Sequence, residues 1–277
     1  MMVGSFEFKG IESKSLGLIC QSVSRPILPA MRPQLVEIYG KSGVYDFHNN
    51  DYGTRQITMH IAYMGESYQD LRSRAREIAE WLNTRQWSKL IINDEPDKYY
   101  LARVYGPVNL ETLYRSGQAD IAFECQPFAY MVANTGSDPT WEEADFPWLT
   151  DLPWNMVKSY QFSATGVVVF AIKNPGTQEI GADSPQGSKF DIIIAGSWTT
   201  LSLSMNGKIL IYTEAGSGEL IIDSVEMEVK LNGVNKLSVI DGDIDSFLTV
   251  LPGNNIITVS GSGINVNVTI DFVPMWL

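Results

Sequence analysis

In the second half of the chain, apolar and polar residues change places at every second position. Val225, Met227, Val229 and Leu231 are apolar, and Glu226, Glu228 and Lys230 stand between them. That period predicts one strand from Val225 to Leu231, with one face buried and one face wet. Asn232-Gly233 follows at once. Asn-Gly accepts positive φ at both central positions of a tight turn, so it predicts a type I′ hairpin. Leu201, Leu203 and Met205 alternate into a second such pair, Asn206-Gly207, and Ile209 to Tyr212 returns. Val167 to Ile172 ends at the turn former Asn174-Pro175-Gly176, and Asp191 to Ala195 is a short buried run. Pro252 to Asn255 is a turn cluster before Ile256 to Val259. Ile264, Val266, Val268, Ile270 and Phe272 alternate with Asn265, Asn267, Thr269 and Asp271. Short strands at this spacing, with turns between them, predict a β-sandwich.

The first half mixes periods. Ser5 to Lys9 predicts a short strand. Val36 to Ile38 and Val44 to Phe47 predict two more around Gly40 to Gly43. Arg25-Pro26-Ile27-Leu28-Pro29 fits neither a helix interior nor a central strand, because its prolines lack backbone donors. It is expected to be an extended segment at the surface. Tyr52 to Tyr63 alternates, with Ile57, Met59, Ile61 and Tyr63 to one side and Thr58 and His60 to the other. Ser67 to Asn83 predicts the one helix. Ser67 and Asp70 have capping-box spacing, and Leu71, Ala75, Ile78, Ala79 and Leu82 make one apolar stripe. Leu90 to Ile92, a turn at Asp94 to Asp97, and Tyr99 to Tyr105 predict a hairpin. Ala119 to Cys125 predicts a strand closed by Gln126-Pro127-Phe128.

Charge divides the chain. Residues 1–130 hold 14 Lys and Arg against 15 Asp and Glu, whereas residues 131–277 hold 6 against 17. This break, with the turn-rich stretch 134–155 and its Trp141, Trp148 and Trp154, predicts two domains, 1–133 and 156–277, around a connector. The tryptophans are read as pins for the connector. An acidic second half argues against tight nucleic-acid binding, which needs a basic surface. The apolar content of 44% and mean hydropathy of -0.05 suit a chain with a real core. No run approaches the roughly 18 apolar residues of a membrane span. The N-terminus lacks a signal-peptide pattern, so synthesis in the cytoplasm is expected.

Candidate chemistry changes little. Cys20 and Cys125 are too few for a disulfide framework, and Cys125 continues an apolar alternation, as a buried free thiol would. His48 and His60 are too few for a His-rich metal site. Asp241 to Asp245 starts like a calcium loop, but Ser246 stands where Gly is needed and Pro252 where Glu is needed. Glu226 and Glu228 read as a wet strand face and not as a glycosidase pair. The chain carries no nucleophile elbow, P-loop, dinucleotide or zinc-protease motif. No catalytic residue, cofactor or metal site is expected.

Landmarks in order along the chain resemble the distal tail proteins of siphophages. They are Arg25 to Pro29, Tyr39 to Phe47, the helix, Glu124 to Tyr130, Asn174 to Thr177, Met205 to Lys208, Ile222-Asp223-Ser224, Leu231 to Gly233, Leu251 to Ile256, and Phe272 before Trp276-Leu277. The resemblance implies a mainly β fold: an N-terminal β-rich, ring-forming domain with one packed helix, then a C-terminal galectin-like β-sandwich. It implies a structural virion protein, not an enzyme, forming a hexameric ring at the tail tip of a phage or prophage. The ring would join the tail tube protein to the tail-tip hub and its tail-associated lysin, take up a receptor-binding protein, and pass DNA through its lumen. No membrane insertion is implied. The length leaves no room for the inserted carbohydrate-binding module of some members. The other reading is a lectin-like protein that recognises host carbohydrate through its second half. Subunit contacts are expected from the first half, with Arg25, Pro26, Pro29, His60, Arg72 and Arg76 as candidates.

Overall fold

The computed structural model describes residues 4–47, 51–113, 116–132, 160–185, 187–241 and 246–277. The chain is mainly β and divides into two compact units, one running to Ala129 and one from Tyr130 to Trp276. The expected connector, with its three tryptophans, lies outside the described residues, as do His48 and most of the acidic loop after Asp241.

The first unit contains β1 (Phe6–Phe8), β2 (Ile11–Glu12), β3 (Ile19–Ser24), β4 (Leu35–Glu37), β5 (Val44–Asp46), β6 (Arg55–Met64), α1 (Tyr68–Leu82), β7 (Ser88–Ile92), β8 (Glu95–Val104), β9 (Leu110–Leu113) and β10 (Ser116–Met131). The main sheet runs β2-β1-β7-β8-β10-β6-β3, with β9 also on β10; β4 and β5 form a separate two-stranded hairpin. Alternation in β6 sends Ile57, Met59, Ile61 and Tyr63 into the core. There they join an aromatic cluster of Phe6, Phe8, Phe123 and Trp81.

Helix α1 starts where its cap predicts. The Ser67 hydroxyl accepts from the Asp70 amide at 3.2 Å. The reciprocal bond differs from a standard capping box, since the Asp70 carboxylate takes the Glu66 amide, one residue upstream, at 3.0 Å. The apolar stripe is also rotated from expectation. Leu71, Ile78, Trp81 and Leu82 are buried, while Ala79 is exposed. Trp81 wins because it both stacks on Phe6, with centroids 5.6 Å apart, and donates its indole N–H to the Phe8 carbonyl at 3.0 Å.

Two boundaries move. β10 continues through Pro127 because its ladder with β6 ends at Cys125–Arg55, so the missing N–H breaks no bond there. The β7–β8 turn shortens to Asn93-Asp94, and Glu95 and Pro96 already belong to β8.

The second unit is a sandwich. Its strands are β11 (Tyr160–Ala164), β12 (Val168–Asn174), β13 (Phe190–Trp198), β14 (Thr200–Met205), β15 (Lys208–Tyr212), β16 (Gly216–Asp223), β17 (Glu228–Leu231), β18 (Val234–Asn235), β19 (Ile240–Asp241), β20 (Gly253–Ser262), β21 (Asn265–Phe272) and β22 (Met275–Trp276). One sheet runs β11-β21-β13-β16-β17-β18 and the other β12-β20-β14-β15-β19. Ile192, Ile194, Leu220, Ile222, Val268 and Ile270 face Leu201, Leu203, Leu210, Ile257 and Val259, all at 0–1% exposure. Both Asn-Gly pairs form the expected hairpins, with φ of 52° and 82° at 206–207 and 49° and 80° at 232–233.

The predicted strand from Val225 is half wrong. Ser224 to Met227 is a turn, and pairing resumes only at Glu228. The Asp223 carboxylate accepts the amides of Val225 and Glu226, both at 2.9 Å. This local bond competes with the ladder and wins. At the rim, Gly261 has φ +148°, and a Cβ there would lie 2.0 Å from the Thr200 carbonyl oxygen, so only glycine fits. Among the described residues no helix is long and apolar enough to cross a membrane.

Candidate interaction surfaces

The first unit carries one uncovered hairpin. Its ladder starts at the Met31–Tyr52 bridge and runs through Phe47–Gln34 to the β4–β5 pairs. Residues 31–45 are exposed throughout, although Leu35, Val36, Ile38, Tyr39, Val44 and Tyr45 are apolar or aromatic. Sequence reasoning found these strands but not their exposure. The signal present was the density of apolar residues on a pair of strands with no third strand beside them.

The six candidate contact residues do not converge. Arg25 is tied to the β7–β8 turn of its own chain, 2.6 Å from the Glu95 carboxylate and 3.2 Å from that of Asp94. Pro26 is exposed, and its carbonyl accepts a bond from buried Arg55 at 3.3 Å. Pro29 is buried at the root of the hairpin, and Ile27 and Leu28 between the two prolines are exposed. His60 lies on the sheet face away from α1, its Nδ1 2.5 Å from Asp120. Arg72 and Arg76 are on the exposed side of α1. Near them Arg74 pairs with Asp70 at 3.2 Å, as the i,i+4 spacing predicts.

Because the stripe of α1 turns toward Trp81, its alanine side is left short of the sheet. Ala75 and Ala79 border an apolar groove of about 390 Å³, which continues over Ile61 and Tyr63 to Val104 and Val108. Met64, Tyr105 and Val108 are exposed. No charged side chain lines the groove, but Asn83 and Thr84 at the end of α1 give it a polar edge.

The second unit concentrates acid on its outer face. Register places Asp191 between Asp223 and Asp271 across three strands. Lys189 bonds Asp271 and lies 3.6 Å from Asp191. Burial, and then the neighbouring Asp223, raise the Asp191 carboxyl above the ordinary aspartate range despite Lys189. An aspartate whose folded pKa is raised holds its proton more tightly when folded. Its contribution is therefore lost as pH rises from the unfolded value through the folded one. Asp191→Asn is expected to raise the melting temperature at pH 7 and to change it little at pH 3, where both states are protonated. Thermal denaturation at the two pH values checks this, and equal shifts at both would refute it. Glu228 pairs with Lys230 at 2.6 Å on β17, while Glu226 sits in the preceding turn, so the two glutamates do not share the strand face expected of them. Among the described residues no cluster of three or more His, Cys, Asp or Glu is arranged to hold a metal. Cys20 and Cys125 are buried free thiols.

Comparison with known families assigns both units. Residues 11–125 match the phage tail protein RIFT-related domain, and residues 182–276 match the C-terminal domain of the siphovirus-type tail component. These matches define a structural component of a siphovirus tail. The chain is similar in fold to the crystal structure of SPP1 Dit (gp 19.1), described as a paradigm of the hub adsorption apparatus in phages infecting Gram-positive hosts. The identity is 13%, the TM-score 0.69, and coverage is 97% of this chain and 98% of that one. A chain of the phage p2 baseplate in its activated conformation with Sr aligns at 10% identity and TM-score 0.44, over 96% of this chain and 97% of that one. No curated protein sequence matches. The chain belongs to the siphophage distal tail proteins, and its place is the tip of the virion tail.

Proposed function

We propose that copies of this chain close into a hexameric ring at the distal end of the tail. The ring joins the tail tube to the tip hub with its tail-associated lysin, offers a seat to a receptor-binding protein, and lets DNA pass through its lumen. The protein works by binding and not by catalysis. The observation that carries this reading is the hairpin of the first unit. Its apolar residues are uncovered by their own chain, and contiguous exposed apolar surface of this kind marks a protein contact. Charge supports the lumen reading: net -1 over residues 1–130 and -11 over residues 131–277 offer DNA no basic surface to stick to.

Negative-stain electron microscopy and light scattering of the concentrated protein test the ring. Six-fold rings, with the first units around a central hole, are expected. Strictly monomeric protein at high concentration, with no ring even when tube and hub proteins are added, would overturn it.

A further inference from the structure

Strand β12 is the edge of its sheet, which runs from it through β20 and β14 to β19. The edge strands β18 and β19 are two residues long, too short to guide another strand. β12 has seven residues, and Val167 to Ile172 is an unbroken apolar run without charge, proline or glycine. Such a run on an open edge is a template for pairing with another chain.

The Tyr160 hydroxyl shows which main-chain groups face outward. It accepts the Lys173 N–H at 3.0 Å and donates to the Lys173 carbonyl at 3.1 Å. Both groups of Lys173 therefore point away from β20, and its pair with Asn254 is of the non-hydrogen-bonded kind. The same direction recurs at every second residue, so Ala171 and Val169 also turn their N–H and carbonyl to the edge. Tyr160 caps the edge at Lys173. Beyond that cap, among the described residues, no strand flanks Ala171 and Val169. Val167 and Val169 are 70% and 64% exposed, and Ala171 is exposed beside them. The three aspartates in register, Asp191, Asp223 and Asp271, belong to the other sheet.

We propose that β12 pairs with the β12 of a second copy, antiparallel across a two-fold axis at Val169. In that register Val169 lies opposite its own copy and Ala171 opposite Val167. Each Lys173 falls outside the ladder, where Tyr160 already holds it. Two five-stranded sheets join into one, and two acidic units meet along a strand that carries no acid. A self-matching contact closes at two copies, whereas rings need head-to-tail contacts. The pairing is therefore separate from the ring and does not depend on that reading.

Val169→Cys in the full chain tests the contact. A hydrogen-bonded antiparallel pair has Cα atoms about 5.5 Å apart, within disulfide reach. Cys20 and Cys125 are buried and stay out of the exchange. Under mild oxidation the variant is expected to give linked dimers and nothing larger. Ile209→Cys, similarly exposed on β15, should give only background. Ala171→Pro removes an outward N–H and no bond to β20, so the sandwich should fold and the dimer yield of Val169→Cys should fall about tenfold or more. In the unmodified chain, exchange of the Val169 and Ala171 amides is expected to slow about tenfold or more from dilute to concentrated protein. Val169→Lys sets like charges opposite each other without touching the backbone, and should abolish that slowing at Ala171. Fast exchange at every concentration, or dimers as frequent from Ile209→Cys, overturns the contact. Slow exchange in dilute monomer does so too, because the edge would then be covered within its own chain. Protection that appears only with added tube or hub protein overturns the choice of occupant.

Discussion

Phe123→Ala is expected to cost the first unit about 3–5 kcal/mol. Phe123 is 0% exposed and stands at the centre of the aromatic cluster. Its ring meets Phe8 edge-on at 5.0 Å and Phe6 at 6.0 Å, and both of those rings touch Trp81 on the helix. Truncation therefore opens a cavity walled by rings that are themselves anchored. Phe6 and Phe8 are fixed by pairing with β7, and Trp81 by its bond to the Phe8 carbonyl. A wall that cannot collapse keeps its void, which places the loss at the upper end of large-to-small substitutions. Against the usual stability of roughly 5–15 kcal/mol for a folded domain, this is a large share. Urea denaturation gives the size of the loss, and hydrogen exchange gives its place. Amides of α1 and β10 should lose protection, and those of Ile192 to Ile194 in the sandwich should keep theirs. A loss below about 1 kcal/mol would mean that the cluster rearranges, and that Trp81 is not what holds the helix down.

What the sequence discloses here depends on how local the deciding force is. The Asn-Gly hairpins and the Ser67 cap rest on a few adjacent residues, and both are plain in the chain. Strand alternation likewise assigns Ile57 to Tyr63 and Ile264 to Phe272 to their faces. Val225 to Met227 misleads because its alternation is real, but the Asp223 carboxylate, also local, offers the two amides a nearer partner. Pro127 misleads for the opposite reason: whether a missing N–H matters depends on where the β6 ladder ends, which no window around residue 127 contains. The groove is the extreme case. It exists because Trp81 reaches Phe6 and Phe8, more than seventy positions earlier, and turns the alanine side of α1 away from the sheet. Arg25 shows how a candidate's partners can lie far off in the chain. It is legible as an exposed cation beside a proline, but the Asp94 and Glu95 carboxylates that bind it arrive only with the fold.

Asn255→Ala is expected to cost the sandwich about 1–3 kcal/mol, because it removes the hydrogen bonds of a buried side chain whose main-chain partners on exposed Leu251 and half-buried Gly253 stay within reach of water. Alternation with Ile257 and Val259 points this polar side chain inward, and it is 1% exposed. Its Oδ1 accepts the Leu251 amide at 2.8 Å and the Asn206 side-chain N–H at 2.6 Å. Its Nδ2 donates to the carbonyls of Leu251 at 2.8 Å and Gly253 at 3.1 Å. One amide thus closes the Pro-Gly-Asn-Asn turn on itself and ties it to the first Asn-Gly hairpin, since Asn206 also donates to the Thr249 carbonyl at 2.8 Å. Alanine strips the Leu251 amide and two carbonyls of their partners at once. Asn255→Asp keeps the shape and the acceptor but loses both donations and buries a charge, so it should be no milder. Asn254, its exposed neighbour, is the control: Asn254→Ala should stay within about 0.5 kcal/mol of the parent. Urea denaturation of the three variants, with exchange of the Leu251 amide as the local readout, decides the matter. Equal losses for the two alanine variants would show that the turn is held by its backbone alone. A loss confined to position 255 would show that the second asparagine of the pair supplies the hydrogen bonds on which this corner of the sandwich is built.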